Sequence, residues 1–170
     1  MIYFTADTHF DHYNIMKLMK RPWERLDEMN EGILANINKL SQSDDLYHLG
    51  DFAFKNGPIW AERIVPKLHL LIGNHDDKRM NQYKHLLASI HDVLYLRWEG
   101  HRFYLSHYAH RTWRNSHHGA YHLYGHSHGM LPDYGRSMDV GVDPLNFCPI
   151  SIEDVVERLK DQPSTAHHPE

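Results

Sequence analysis

The chain has 170 residues, of which 41% are hydrophobic and 24% charged, and its formal net charge is −4 at pH 7 with histidine neutral. That length suits one compact domain with a core and is too short for two of ordinary size. No Lys/Arg run exceeds two residues, so a broad basic surface for tracking nucleic acid is not expected, which leaves room only for a local basic site.

In chain order, short apolar runs alternate with helical periods. "IYFTAD" (2–7), "DLYHLGD" (45–51) and "LHLLIGN" (68–74) read as buried strands. Between the first two, "LDEMNEGILANINKL" places Met29, Ile33, Ile37 and Leu40 at helical spacing. "IWAERIV" and "MNQYKHLLASI" are shorter helix candidates, the second preceded by a turn with a helix start near Lys78. The second half is more β-like. "VLYLRWEGHRFYLSHY" predicts a hairpin turning at Glu99-Gly100, followed by the strands "YHLYGHSH" and "SMDVGVD". "SIEDVVERLK" opens with a capping-box pattern, Ser151 and Asp154, and continues as a helix. Strands with helical crossovers followed by antiparallel strands imply a layered α/β or α+β domain over 1–160, with "DQPSTAHHPE" (161–170) as a flexible tail.

The single cysteine, Cys148, rules out an intramolecular disulfide framework and fits a reducing compartment; as a small apolar residue it needs no chemical role. "MIYFTADTHF" lacks a basic region followed by a long apolar stretch, so no signal peptide is expected, and no apolar run approaches membrane-spanning length. A cytoplasmic protein is the default expectation. Seventeen histidines are the one unusual number, and only their positions can separate a metal site from a histidine-tolerant surface.

Those positions are informative at the strand ends. The predicted strands finish in Asp7-Thr8-His9, Gly50-Asp51, Gly73-Asn74-His75-Asp76, Ser106-His107 and Gly125-His126-Ser127-His128. In layered α/β proteins, sites are built at the carboxyl ends of strands, and Gly there lets backbone and ligand approach closely. Each piece alone reads equally as a turn, a strand exit or a helix cap. Their joint occurrence at five successive strand ends is hard to reach by chance.

In that order, D-x-H, G-D, G-N-H-D, a single H and G-H-S-H resemble the calcineurin-like metallophosphoesterases, over roughly residues 2–155. "DTHFDHYNI" and "HHGAYHLYGHSHG" are most similar in style to the small bacterial and phage-type members. The resemblance implies a four-layer αββα sandwich, two mixed sheets flanked by helices, with a dinuclear metal site at the strand ends. It implies that Asp7, His9 and His128 hold one metal, that Asn74, His107 and His126 hold the other, and that Asp51 bridges both. His75 then protonates the leaving oxygen, and a metal-bridging hydroxide attacks phosphorus. Mixed imidazole and oxygen donors suit Mn²⁺, Fe, Zn²⁺ or Ni²⁺ better than Ca²⁺. Two divalent ions against the carboxylates of Asp7 and Asp51 leave a local positive charge that attracts phosphate. Such ions, about 3.5–4 Å apart, clamp both oxygens of an in-line displacement.

Substrate contacts are expected from neighbouring loops: His12, Asn14 and Arg21 after the first motif, and Arg111, Trp113, Ser116 and His117 in "HRTWRNSHHG", with His12 and His117 the preferred pair. For each, a solvated loop or packing role is an equal reading. Asp139 and Asp143 in "MDVGVD" read as strand-end caps or as supports behind a ligand. His48, on the opposite strand face from Asp51, reads as a core residue; His85, His91, His101, His167 and His168 read as surface.

Departures from other branches narrow the class. G-D continues as "FAF" rather than D-R-G, and Leu71-Ile72 precede "GNHD" where the Ser/Thr protein phosphatases carry arginine. The chain also lacks the length for the capping domain of double-strand-break nucleases. The expectation is therefore a hydrolase of phosphodiesters, whether small diesters, nucleotides or nucleic-acid ends. A monoesterase is the alternative, and a non-catalytic scaffold of the kind found in the retromer complex is disfavoured because every ligand position is filled. A metal-buffering role is disfavoured too, since five of the seventeen histidines fall at motif positions. No membrane or protein partner is implied, and a homo-oligomer is left open.

Overall fold

The computed structural model describes residues 1–76 and 80–165. Four consecutive parallel strands, β1 (Ile2–Thr5), β2 (Asp45–His48), β3 (Lys67–Leu71) and β4 (Ser89–His91), form a sheet in the order β4-β3-β2-β1-β9. The short β9 (Ile150–Ser151) closes its edge antiparallel to β1. The second sheet runs β5-β6-β7-β8, from β5 (Val93–Trp98), β6 (His101–Ser106), β7 (Tyr121–Tyr124) and β8 (Ser137–Asp139). Its first pair is antiparallel and the next two are parallel. Glu99 and Gly100 turn the β5–β6 hairpin with φ of 44° and 83°, the two positive angles a two-residue turn of matching twist requires.

Alternation along the strands sorts two cores. Leu46, Leu68 and Leu70 face helices α1 (Tyr13–Leu18), α2 (Leu26–Ile37) and α3 (Gly57–Arg63), which contribute Ile15, Met16, Met29, Ile33, Ile37 and Trp60. Phe4, Leu49 and Leu71 face the second sheet, meeting Phe103, Leu105, Tyr121 and Leu123. Helix α4 (Ile152–Leu159) docks beside β1 and β9 and adds Ile152, Val155 and Leu159 to this inner core. Its N-cap forms as expected, with Ser151 Oγ accepting from Asp154 N at 3.0 Å, while the Asp154 carboxylate accepts from the Ser151 hydroxyl. The outer face of the second sheet is covered by the loop that follows β6, where Trp113 packs with Tyr104 and Ala120. The result is a mixed α/β fold of two packed mixed sheets and, among the described residues, four α-helices.

One local expectation changes among the described residues. "MNQYKHLLASI" forms two 3₁₀ turns (Met80–Gln82 and Lys84–Leu86) and then β4, because Tyr83 is drawn into the helix-side core and Ser89–His91 pairs with β3. The helix start near Lys78 lies outside the described residues. Residues 161–165 pack against the body: Arg136 donates to the carbonyls of Gln162 and Lys160, and Thr165 is buried. The remainder of that segment, with His167 and His168, is outside the described residues.

Two buried histidines couple this fold to pH. His122 Nδ1 donates to the Tyr104 carbonyl, and its Nε2 accepts from His110 N at 2.9 Å, so the ring must be neutral. Burial pushes its pKa down to about 4, and burial likewise pushes His48 down to about 3. A proton bound by the unfolded chain near pH 6.5 is thus refused by the native state. Stability is complete above that pH and falls as pH drops toward 4, by about 3 kcal/mol for His122 at the lower end. Calorimetric melting of chelated protein between pH 7 and 4 (about neutral to about the shifted pKa) should show this loss, and His122→Gln should flatten the slope by about one proton.

Candidate metal centre

All five predicted motifs converge where β1, β2, β3, β6 and β7 end. Backbone hydrogen bonds carry the strands past their formal ends: Asp7 N to Gly50 O, His9 N to Asp51 O, and Gly125 N to His107 O, each 3.0 Å. Asp7, His9, Asp51, His126 and His128 then take left-handed conformations with φ between 49° and 64°. Such a conformation costs roughly 1 kcal/mol or more per non-glycine residue, and its concentration at one locus marks a functional site. Close packing explains two glycines of the motifs. A side chain on Gly50 (φ +99°) would meet His107 Nδ1, and one on Gly125 would press on the Asp7 carboxylate at 2.7 Å.

Three groups of side chains each bring their donor atoms within 4.8 Å of one another: Asp7, His9 and His128; His9, Asp51 and His75; and Asp51, His107 and His126. Asp51 is common to two of them. Its Oδ2 is 3.6 Å from His9 Nε2 and its Oδ1 is 3.6 Å from His107 Nε2, separations too long for hydrogen bonds. Asp7 Oδ1 and both ring nitrogens of His9 are buried without any hydrogen-bond partner. His107 Nδ1 donates to Leu49 O at 2.8 Å, which leaves Nε2 with a lone pair facing Asn74 Oδ1 at 3.1 Å. Burial holds His107 and His9 below the ordinary imidazole range. Burial, with Asp139 and Asp51 nearby, holds the Asp7 carboxyl well above its ordinary range. Lone pairs aimed at each other in a buried site fit cations, and these residues could hold divalent ions.

Buried polar groups fix this donor set from behind. His128 Nδ1 donates to Asp143 Oδ2 at 2.7 Å, leaving Nε2 for a ligand. Asp143 in turn receives Arg21 Nε and Nη2, both at 2.9 Å. Burial raises the Asp143 pKa, but the hydrogen bonds from His128 and Arg21 outweigh it and hold the carboxyl below its usual range. Arg21 also donates to the carbonyls of Thr8 and Asp7. Asp76 accepts from the backbone of Asp51, Phe52 and Gly73, tying the ends of β2 and β3; burial nevertheless lifts its pKa to about 6. Asp11 does the same for the first loop, accepting from Asn30, Asn56 and Trp60.

The substrate-contact expectations fare unevenly. His12 lies at the cluster, its ring 5.2 Å from that of His9 and stacked on Phe54 at 4.4 Å. Asn14 is exposed on the first turn of α1. Arg21 is corrected: it is 5% exposed and its donors serve Asp143 and two carbonyls, so it faces no substrate. Trp113 is corrected as well, since it is buried against His122 and donates to Ala120 O. His117, with buried Ser116, sits in the 3₁₀ turn before β7 starts. That is roughly 20 Å along the strand from His126, so His117 is no partner of His12. Arg111 is exposed on the loop over the outer face. Asp139 is the strand-end cap, accepting from Ser127 Oγ and the backbone of Gly129 and Gly141. His48 is a core residue bonded to Thr8 Oγ1, His85 is exposed, and His91 and His101 are half-buried.

Sequence reading missed Tyr108 and Phe54. Tyr108 is 49% exposed with its ring 4.7 Å from that of His126, and Phe54 forms the wall behind His12 and His75. An aromatic directly after a candidate ligand (Tyr108), or three residues after Asp51 (Phe54), was the available signal.

The sequence pattern of the calcineurin-like phosphoesterase superfamily domain matches residues 1–140, and this chain belongs to that superfamily. It is a metal-dependent phosphoesterase by family and by the donor set just described. It is 30% identical to the uncharacterized protein MJ1445 of Methanocaldococcus jannaschii, over 94% of this chain and 91% of that protein. Among solved structures it is similar to the protein of unknown function AQ665 from Aquifex aeolicus. That match has a TM-score of 0.73 and 26% identity, over 93% of this chain and 98% of the other. It shares its fold with an archaeal phosphodiesterase at TM-score 0.50 and 17% identity, covering 82% and 81%.

The Arg21–Asp143–His128 chain generates a test. Asp143→Ala leaves His128 free to rotate and should weaken Mn²⁺ binding about 10- to 100-fold, measured by calorimetric titration. Arg21→Ala, which strands a buried carboxylate, should in addition cost about 3 kcal/mol in urea unfolding.

Proposed function

We propose that this protein hydrolyses phosphodiesters at a dinuclear centre. In this reading Asp7, His9 and His128 hold one divalent transition-metal ion, Asn74, His107 and His126 hold the second, and Asp51 is shared. The observation that carries it is the Asp51 carboxylate, whose two oxygens each face a different cluster of bare lone pairs. When bound, the ions supply Lewis-acid activation of water and of the phosphoryl oxygens; Mn²⁺ suits the imidazole and oxygen donors.

The protein's own groups position and protonate. His75 N donates to Asp51 Oδ1 at 3.0 Å, so the acid is tethered to the shared carboxylate, while its half-exposed ring stands 5.5 Å from that of His9. From there His75 delivers a proton to the leaving oxygen. His12, braced by Phe54, lines the same side and orients the phosphoryl group. The preference for diesters rests on charge. Arg21 is committed to Asp143, and the arginines of the protein-phosphatase motifs are absent from the sequence, so a dianionic monoester lacks its usual guanidinium clamp. We take residues 1–160 as the working domain and a cytoplasmic setting, with its reduced thiol, as the place of action.

The test is hydrolysis of bis-p-nitrophenyl phosphate against p-nitrophenyl phosphate, with Mn²⁺ restored after chelation. The diester should turn over faster and Asp51→Ala should abolish metal-dependent turnover; a faster monoester would support the monoesterase reading. For poorly activated esters His75→Ala should lower turnover about 10²- to 10⁴-fold while metal content stays unchanged. Since His75 also stands within ligand distance of His9 and Asp51, loss of metal in that variant would refute the acid role.

A further inference from the structure

The chain is acidic overall, yet several of its unpaired arginines gather at one place far from the metal centre. Arg97 on β5 and Arg102 on β6 are directly opposite each other across the hairpin and both are exposed. Like charges in that position repel and destabilise the pair. Other arginines of the molecule are neutralised, Arg21 by Asp143, Arg25 by Asp27 and Arg63 by Glu31. Among the described residues Arg97 and Arg102 have no such partner, and Glu99 in the turn between them makes no ion pair with either.

A third guanidinium, Arg114, lies 4.8 Å over the ring of Tyr95, a residue 51% exposed on the same sheet face. Arg97, Arg102, Arg114 and Tyr95 line one depression. Arg102 also borders an adjoining cleft of about 450 Å³ with His101, His118 and Arg136. Arg136 is anchored there by backbone carbonyls, so its charge is fixed in place.

We propose that this face, from Tyr95 and Arg114 through Arg97 and Arg102 into the cleft, binds a nucleic-acid strand. Uncompensated guanidinium groups supply phosphate contacts, and the Tyr95–Arg114 platform supplies a flat surface for a base. Arg102 and His107 are five residues apart on β6 and its extension, about 17 Å. A mononucleotide cannot touch both places, whereas a strand can, so the surface would recruit polymer to the metal centre. That last step rests on the phosphodiesterase reading; binding itself does not.

The test separates them. Fluorescence anisotropy with labelled oligo-dT in chelator measures binding without hydrolysis, and bis-p-nitrophenyl phosphate turnover with Mn²⁺ measures the centre alone. Arg102→Glu is the informative variant because it converts the repulsive cross-strand pair into an attractive one. It should raise the melting temperature, raise the oligonucleotide Kd about tenfold, and leave small-ester turnover unchanged. Reversing Arg97 as well should make log K less steep in log salt by about 1.4, two single-strand phosphate contacts. Arg158→Glu on α4 should leave Kd as it is. Absent or salt-insensitive binding, or a Kd indifferent to Arg102→Glu, would overturn the proposal. So would a change in sedimentation with unaltered Kd, which would make this face a contact between copies of the chain. Intact binding with no ester turnover would overturn the catalytic reading and uphold the surface.

Discussion

Oxygen and imidazole ligand atoms that face one another in a buried cluster are the constraint around which this molecule is arranged. His107 and His128 each give one ring N–H to an oxygen behind them, which turns the other ring nitrogen toward the cluster. His9 has neither nitrogen satisfied. In a protein interior such a group costs of order several kcal/mol unless something positive completes it. The same arrangement that is a liability for the empty chain is a ready coordination sphere, and divalent ions convert one into the other.

Holding that arrangement falls to a second tier of carboxylates that take no part in it. Asp76 gathers three backbone N–H groups from two strand ends, Asp139 pins the loop after β7, Asp11 ties the first loop to α2 and α3, and Asp143 orients His128. Asp76, Asp139 and Asp11 work by accepting hydrogen bonds that fix loops and strand ends, and Asp143 by accepting those that fix a side chain. The left-handed backbone at five of the candidate ligands is tolerated because these supports over-determine it.

The candidate ligands were legible in the sequence because strand-end motifs put chemistry and backbone geometry in the same few letters. Most individual strands, the hairpin turn and the N-cap of α4 were legible for the same reason, being local; that β6, β7 and β8 run parallel where antiparallel strands were expected was not. What escaped was decided by contacts across the chain. Arg21 follows a site motif and reads as a phosphate clamp, yet Asp143, 122 residues away, turns it inward. Trp113 and His117 sit between two ligand motifs, yet the loop carries them over the outer face to the wrong end of β7. β4 hides in an apolar helical period until β3 offers it an edge.

The bridge between Ala6 and Gly141 joins the first sheet to the second just behind the cluster, and His126 N reaches Asp7 Oδ2 across 119 residues of sequence. Loop closure over such separations is entropically costly and comes late in folding. On a ribosome the N-terminal half therefore emerges with Asp7, His9, Asp51 and His75 already made but without His107, His126 and His128 opposite them. The donor set closes only once the chain has passed Asp143. Hydrolytic competence is thus timed by synthesis itself: a nascent or truncated chain carries most of the ligands and none of the complete site.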